Sequence, residues 1–442
     1  MIVTVGDMER ARSLTDFVQK TVVGWQSSTE YAQMAENYKY YMGENPVLAR
    51  RWNRVALDTG GVIDLKPRQK IISNMFERLV VQRENRLLYY PIAFDDEGKH
   101  AQLGEGFDDV ISDILHDTLI CGVSWAYWDI DRVVQFRARE FVPILDDETG
   151  KIAKGIRVSQ LAPDRPMYYE LFEVGGKTTW RQGKRGLELV QETTPYKYNE
   201  RRWANGVRQI TDASNYGVLP IVPMYANRER RSLLTPPVKS KINAYDLLFT
   251  FYGDELLQNK FVYWMISGYG GSAEELIAIR EMAQKLGIIA ADGQDAKVQP
   301  SKFEPPHEAF KAIMEALEAD IYRDASTFDP AKLAGSAQIA TAIEAGQRPE
   351  DVSVKGTERE VEKCIKGIMK IAGVESKVTF TPYRMVDERG QTEQVVALVR
   401  EGVLTPELAV KFVPMLQERQ QEVIDAIVNR CLGQGTCNGG VQ

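Results

Sequence analysis

The 442-residue chain has three histidines, His100, His116 and His307. None has a partner at i+3 or i+4, so the paired imidazoles of an HExxH zinc site are missing. His116 falls on a helix face and reads as a satisfied structural histidine. His307 opens an acid-rich stretch and reads as a surface residue. GKIAKGIR at 150–157 has two glycines of a phosphate loop, but Ile156-Arg157 stands where Lys and Ser or Thr would reach phosphate and magnesium. It follows an acidic turn, DDET, and reads as a hairpin. SGYGGS at 267–272 lacks the third glycine of a dinucleotide fingerprint, and GxSxG does not occur. Two acidic runs, Asp95-Asp96-Glu97 and Asp146-Asp147-Glu148, could hold a cation or be solvated turns. No covalent chemistry, metal set or cofactor motif emerges, so no catalytic residue and no cofactor is expected.

A different feature stands out at 326–338, STFDPAKLAGSAQ. Upstream, Phe310, Ile313, Met314, Leu317 and Ile321 mark one helical face. Downstream, GSAQIATAIEA is rich in helix formers. Between them stand a proline, a glycine and one cation, Lys332. A surface turn between two helices is the plainer reading of this segment by itself.

The chain is 44% hydrophobic and 26% charged, ordinary globular composition with length for two or three domains. No run of about 18 apolar residues predicts a membrane span, and MIVTVGDMERARS does not read as a secretion signal. Cys121 and Cys364 lie in apolar surroundings and read as buried thiols. Cys431 and Cys437 sit in a glycine-rich tail and could pair, bind metal or stay free. This usage fits a reducing cytoplasm. The net charge of −7 argues against a general nucleic-acid binder with a basic face. It leaves room for a protein that surrounds nucleic acid without gripping it.

The elements predicted to position these residues run as follows. Helix covers 7–42, then 67–89, opened by Pro67 with Ile72, Met75, Phe76, Leu79 and Arg83 on one face, then 106–120. Residues 121–230 are β-rich, with VSWAYWDI, VVQFRAREFVPIL, GIRVSQL, YYELFEV and KTTWRQ as strands. RQGKRG and KYNERRW are expected as exposed loops. Thr235-Pro236-Pro237 starts a helix whose apolar face is Val238, Ile242, Tyr245, Phe249, Tyr252 and Leu256. FVYWMISGYGG is a strand and glycine turn, 272–286 a short helix, and GIIAA a strand. Pro305-Pro306 opens the next helix. After the break, helix resumes at about 336, is interrupted at Gly346 and Pro349, and runs to Gly373. KVTFTPYRMV is a strand, and the remainder is helical, starting again at Thr405-Pro406-Glu407 and split by Pro414.

Several strings in this order resemble the portal proteins of tailed bacteriophages, in the branch typical of long-tailed phages of Gram-positive hosts. ENYKYYMGENP followed by KIISNMFERLVVQRENRLLYYPIAF is similar to that family's opening, and GVSWAYWDID and FVPILDD to its β-rich part. LPIVPMYANRE followed by VKSKINAYDLLFTFYGDELLQNKFVYWMISGYGG is the most specific stretch. The likeness covers roughly residues 30–430. The chain departs from the family at Asn243, where Asp is common, near Phe249-Thr250, where Ser is common, and at LAGSAQ.

The resemblance implies an α+β, mainly helical portal fold assembled as a ring. Residues 1–232 would form the wing, 233–259 the first stem helix, 260–304 the clip and 305–326 the second stem helix. Residues 327–336 would form the tunnel loop, 337–387 the long kinked helix and wing strand, and 388–442 a small helical crown and flexible tail. It implies a structural protein, not an enzyme: a dodecamer at one capsid vertex, through which double-stranded DNA is packaged and ejected. The implied partners are the terminase large subunit, head-tail connector or adaptor proteins, and the major capsid and scaffolding proteins. No membrane is implied. The implied location is the virion, with assembly in the host cytoplasm.

On this likeness Phe328, Asp329, Lys332, Leu333 and Ser336 would line the channel. Tyr269, Glu274, Glu275 and Arg280 would meet terminase or adaptor. Val238, Ile242, Tyr245, Tyr252, Leu256, Ile313, Leu317 and Ile321 would pack the stem or the subunit contact. Residues 301–326 hold Lys302, Lys311 and Arg323 against Glu304, Glu308, Glu315, Glu318, Asp320 and Asp324, three minus six, or −3. An acidic wall with a sparse cationic ring would guide DNA while keeping each contact weak; a solvated helix face explains the same acids. Without the likeness, the alternatives are a monomeric α+β enzyme, such as a metal-dependent nuclease using the Asp/Glu runs, or a scaffold that forms no ring.

Overall fold

A computed structural model describes residues 1–49, 54–56, 62–64, 70–202, 208–257, 262–267, 272, 278–279, 297–302, 307–333, 340–383, 395–402, 405 and 409. Residues 7–42 fold as three helices, not one: α1 (Val5–Glu9), α2 (Leu14–Gln26) and α3 (Thr29–Tyr41). The breaks are caps. Thr4, Ser13 and Ser28 stand in extended conformation and accept from the backbone N–H of Asp7, Asp16 and Tyr31, so each restarts the helix on a satisfied first turn.

A short ladder pairs β1 (Arg54–Ala56) with β2 (Val62–Asp64). The next helix, expected from Pro67, begins only at Met75. It is α4 (Met75–Leu88), and residues 70–74 are non-helical. The backbone N–H groups of Ile71 and Ser73 are taken up by the side chains of Thr250 and Asp246, each at 3.0 Å, in place of a helical ladder. Pro67 lies outside the described residues. After β3 (Ala93–Phe94) and α5 (Glu97–Ala101), α6 (Phe107–Cys121) falls as predicted. Gly122 ends it at φ 95; a Cβ there would stand 2.8 Å from the Arg230 carbonyl oxygen.

The named strands of the β-rich region pair antiparallel, with one isolated parallel bridge between Thr4 and Leu145. VVQFRAREFVPIL, read as one stretch, divides between sheets. β4 (Val123–Asp129) and β5 (Arg132–Phe136) join a later strand, whereas β6 (Phe141–Leu145) opens a five-stranded meander. The meander continues through β7 (Ile152–Ser159), β8 (Tyr168–Glu173), β9 (Gly176–Gly183) and β10 (Gly186–Thr194). GKIAKGIR turns at Gly150 and runs into β7, paired with β6 as the hairpin expected. Of the basic insertions expected as exposed loops, RQGKRG is largely exposed at a turn, whereas KYNERRW is mostly strand. RQGKRG closes the β9–β10 hairpin, and KYNERRW supplies β11 (Lys197–Arg202), which pairs with β12 (Arg208–Ser214). Ladder pairing overrides the low apolar content that suggested a loop. β13 (Ile221–Tyr225) completes the order β13-β4-β5.

α7 (Pro236–Leu257) and α8 (His307–Asp324) follow, separated by the pair β14 (Val262–Ser267) and β15 (Lys297–Lys302). β15 was not foreseen. GIIAA and all but three residues of 272–286 lie outside the described residues. α9 (Ala340–Ala372) runs unbroken through Gly346 and Pro349, since a proline removes one rung of the ladder without ending a helix whose flanks are held. Among the described residues of KVTFTPYRMV, 377–383, the strand is β16 (Val378–Thr379), paired with β3. Residues 395–400 are helical, and the Ala409 N–H donates to the Thr405 carbonyl. Pro414 and the tail with Cys431 and Cys437 lie outside the described residues.

By its contacts the chain forms two units, Met1–Thr327 with Ser353–Thr381, and Phe328–Val352 with Pro382–Gln442. The larger unit has three apolar centres. α2 lays Phe17, Val18, Val22 and Trp25 on one face of the meander, against Ile144, Ile156, Leu171 and Trp180. Aromatic side chains Trp125, Tyr127, Phe136, Phe141 and Phe172 fill the space toward the three-stranded sheet. Phe141 lies over Gly155, where a Cβ would fall 2.0 Å from its ring. The largest centre gathers α4, α6, the start of α7, the end of α8 and the second half of α9. Cys121 and Cys364 are buried and free, as expected. In the smaller unit a 3₁₀ turn spans Pro330–Leu333, and the Phe328 ring lies beside Gly346 of α9.

Candidate functional site

The break that interrupts the helical pattern is made before Pro330. α8 ends at Asp324, and Ser326 stands in the left-handed region at φ 51. The Ser326 N–H donates to Arg323 O (3.0 Å) and the Thr327 N–H to Tyr322 O (2.9 Å). These two bonds are a Schellman motif, with serine where glycine is usual. Pro330 opens the 3₁₀ turn after that. Asp329 caps the turn, its Oδ1 accepting from the Ala331 N–H at 3.0 Å. Phe328 and Asp329 are buried, and Pro330 and Ala331 are exposed. Lys332 and Leu333 belong to the turn by backbone. Their side chains, Ser336 and Gly335 lie outside the described residues.

α7 and α8 are antiparallel. Near the start of α7, Lys241 Nζ lies 2.8 Å from Asp324 and 3.5 Å from Asp320 at the end of α8. The hydrogen bond to Asp324 holds the lysine above its ordinary pKa. At the other end, Tyr252 stacks on Phe310 at 3.8 Å, and its hydroxyl meets the His307 ring. Of the predicted packing residues, Val238, Ile242 and Ile321 are buried, Tyr245, Tyr252 and Leu317 are half-buried, and Ile313 is 51% exposed. The Leu256 side chain lies outside the described residues.

The expected apolar stripe of α7 does not continue inward beyond Ile242. The buried positions are Asp246, Thr250 and Asp254, a polar row at i, i+4 and i+8. Asp246 accepts from Asn45 Nδ2 (2.7 Å), Ser73 N (3.0 Å) and Ser73 Oγ (2.6 Å). Thr250 Oγ1 donates to Ile71 O at 3.0 Å. Burial raises the Asp246 pKa, and the bonds from Ser73 and Asn45 act against it. Leu248, Phe249 and Phe251, read in part as inward, are instead 38–39% exposed. With Ile313 they leave large apolar side chains on the outside of the α7–α8 pair.

The other candidates have structural partners. His116 Nδ1 lies 2.6 Å from Glu84, and His100 Nε2 lies 3.1 Å from Asp108. Asp96 caps α5 through the Gly98 N–H, Asp146 folds back on Thr149, and Asp147 accepts from the Gly6 N–H. Among the described residues no cluster of His, Cys, Asp and Glu could hold a metal ion, and no helix is long and apolar enough to cross a membrane. Tyr269, Glu274, Glu275 and Arg280 lie outside the described residues. Two features were missed in the sequence. One is the polar row of α7, hidden by flanking aromatics. The other is Arg83, whose signal was a guanidinium on an otherwise apolar stripe.

Two comparisons bear on what this arrangement serves. The family model described as "Phage portal protein, SPP1 Gp6-like" matches residues 26–428. A portal protein of Bacillus phage SPP1 is 22% identical over 438 residues, spanning 88% of this chain and 82% of its own length.

Proposed function

The chain belongs to the SPP1 Gp6-like phage portal family, and from that premise we propose that it is the subunit of a twelve-fold ring at one capsid vertex. Double-stranded DNA enters and leaves through the central channel. In this reading residues 1–232 form the wing, α7 and α8 the stem, 260–304 the clip, 327–336 the tunnel loop, and residues after about 388 the crown. The observation that carries it is the α7–α8 pair. Leu248, Phe249, Phe251 and Ile313 are exposed on two helices that the larger unit already packs on another side. Several large apolar side chains left exposed on one helix pair fit an interaction site, and a neighbouring copy is the occupant that a ring supplies. The tunnel-loop role narrows to the part from Pro330 onward, because Phe328 and Asp329 are buried.

The protein is structural in this reading. ATP hydrolysis belongs to a separate terminase motor, whose large subunit docks on the clip during packaging. Connector proteins take that place afterwards, and capsid and scaffolding proteins surround the wing. The rival readings, a monomeric nuclease or a scaffold that forms no ring, are separated from this one by mass. Multi-angle light scattering of the purified chain should give a closed assembly near 600 kDa (12 × 50.0 kDa), with rings visible by electron microscopy. A homogeneous 50.0 kDa species at all concentrations would overturn the proposal.

A further inference from the structure

Residues 328–352 leave the larger unit after Thr327 and return to it at Ser353. One side chain reaches the chain beside both crossings. Arg83, on α4 and 1% exposed, donates from Nη2 to the carbonyl oxygens of Ala325 (2.9 Å) and Ser326 (3.0 Å), and from Nη1 to the Ser353 hydroxyl. We infer that Arg83 is the positioning residue for the loop-bearing segment: its guanidinium ties the outgoing and returning roots of 328–352 to each other and to α4. This rests on the channel role proposed for that segment.

Three observations carry the inference. The Schellman bonds satisfy the carbonyls of Tyr322 and Arg323; those of Ala325 and Ser326 lie beyond the motif, and Ala325 O also accepts from Thr327 Oγ1 at 3.2 Å. Arg83 reaches both. Ser326 holds a left-handed conformation without being glycine, and such a residue persists where its surroundings over-determine it. Finally, reaching two carbonyls and a hydroxyl on separate stretches needs several donors in a fixed plane, which guanidinium has and an ammonium lacks. The anchor is firm, because Phe76, Leu79, Val80 and Leu87 of the same helix are at most 1% exposed. Burying a guanidinium is costly where packing alone would accept leucine. Its use here is directional: a push on the loop is carried through both roots into the core and does not unwind the end of α8.

The test places a nitroxide on the exposed turn in assembled rings, using Ala331→Cys with Cys431→Ser and Cys437→Ser. A control label goes at Leu161→Cys, 93% exposed in the larger unit. Spectra are compared for Arg83→Gln, Arg83→Lys and Ser353→Ala, beside DNA packaged per procapsid. The expected result is faster motion at position 331, greatest in Arg83→Gln and smaller in the other two. Leu161 spectra and cooperative melting should stay unchanged, and packaging should fall in the same order. Should Arg83→Gln fail to fold, Ser353→Ala keeps the guanidinium in place and still removes one root. Unchanged motion at 331 in folded Arg83→Lys and Ser353→Ala rings would overturn the inference, as would equal loosening at 161. Faster motion at 331 with wild-type packaging would uphold the clamp and overturn the channel role of the segment.

Discussion

Glu84 joins two helices through two different bonds: Oε1 accepts from Ser112 Oγ at 2.8 Å, and Oε2 lies 2.6 Å from His116 Nδ1. The bond to Glu84 raises the His116 pKa above its ordinary 6.5, against the opposing effect of burial. A histidine raised on folding contributes stability that is fully present below the unfolded pKa and is lost as pH rises through the folded one. Thermal melts should therefore show the wild type losing its advantage over His116→Gln as pH climbs from 6.5 through that higher value. Parallel melting curves for the two proteins from pH 5 to 8 would show that the pair does not titrate with folding. Asp246 has the same pH sign for a different reason. Burial raises a carboxyl pKa, so the charged form opposes folding and its cost is relieved as pH falls through the raised value. Asp246→Asn would turn an acceptor into a donor facing Asn45 Nδ2, 2.7 Å from the present oxygen. We predict a loss of roughly 1–3 kcal/mol, the usual cost of leaving a buried polar group unmatched, measurable by urea unfolding at neutral pH. A stability equal to wild type would mean that Asn45 and Ser73 find other partners without cost.

At the level of elements, the α7–α8 pair separates side chains that hold the subunit from those left for a neighbour. Tyr252 stacks on Phe310 and Tyr245 lies beside Phe249, so Tyr245→Asp and Tyr252→Asp should disturb the subunit as well as the ring. Leu248 is 38% and Ile313 51% exposed. Their joint replacement by Asp should leave subunit melting nearly unchanged, since an exposed change usually stays within about 0.5 kcal/mol. Ring yield by electron microscopy should collapse, because charge would be buried between copies. Full rings from that variant would remove this face from the assembly surface. The sequence showed much of this region and misread its facing. α6 and α8 were legible because their apolar residues keep a 3.6 period and their ends carry Gly or Pro. α7 misled past Ile242 because Phe249 also keeps that period while exposed, and the buried positions there are Asp246, Thr250 and Asp254. Periodicity reports which residues share a face, not which face is covered. The late start of α4 was illegible for a related reason: Ile71 and Ser73 are held by Thr250 and Asp246, distant in the chain. The helix break was seen at its location, but its cause was placed at Pro330. The structure puts it at Ser326, whose left-handed backbone no local pattern announced.

For the whole molecule, the balance of charge decides how DNA would be handled. Part of the acid on α8 is internally matched: Lys241 meets Asp320 and Asp324, and Arg323 Nη1 lies 2.5 Å from Asp320. Glu308 and Glu315 stand on exposed positions, Glu315 within 3.9 Å of Lys311. As the wall of the proposed channel this helix would repel phosphate, and gripping sites elsewhere would slow translocation. The proposed clip offers one check on the proposed ring's outer contacts. Reversing Glu274, Glu275 and Arg280 should leave rings intact and reduce capture of the terminase large subunit in a pull-down; undiminished capture would place the docking surface elsewhere. The decisive check is at the turn. Asp329 is buried and caps Pro330–Leu333, so the turn has its own support and Lys332 can be changed without removing it. We propose that Lys332 from every subunit forms the cationic ring at the narrowest point. Lys332→Glu should then give normal rings and procapsids, but less packaged DNA, because one weak attraction per subunit becomes a repulsion. The defect should be largest at low salt and shrink as screening shortens the reach of each charge to about 10 Å at 0.1 M and 3 Å at 1 M. Deleting 331–335 while keeping Asp329 should impair packaging with a flatter salt response, since that change removes the constriction and its charge together. Packaged DNA per procapsid across a salt series distinguishes these outcomes. Wild-type packaging by Lys332→Glu at every salt concentration would mean that this segment is a surface turn and that the channel is narrowed by other residues.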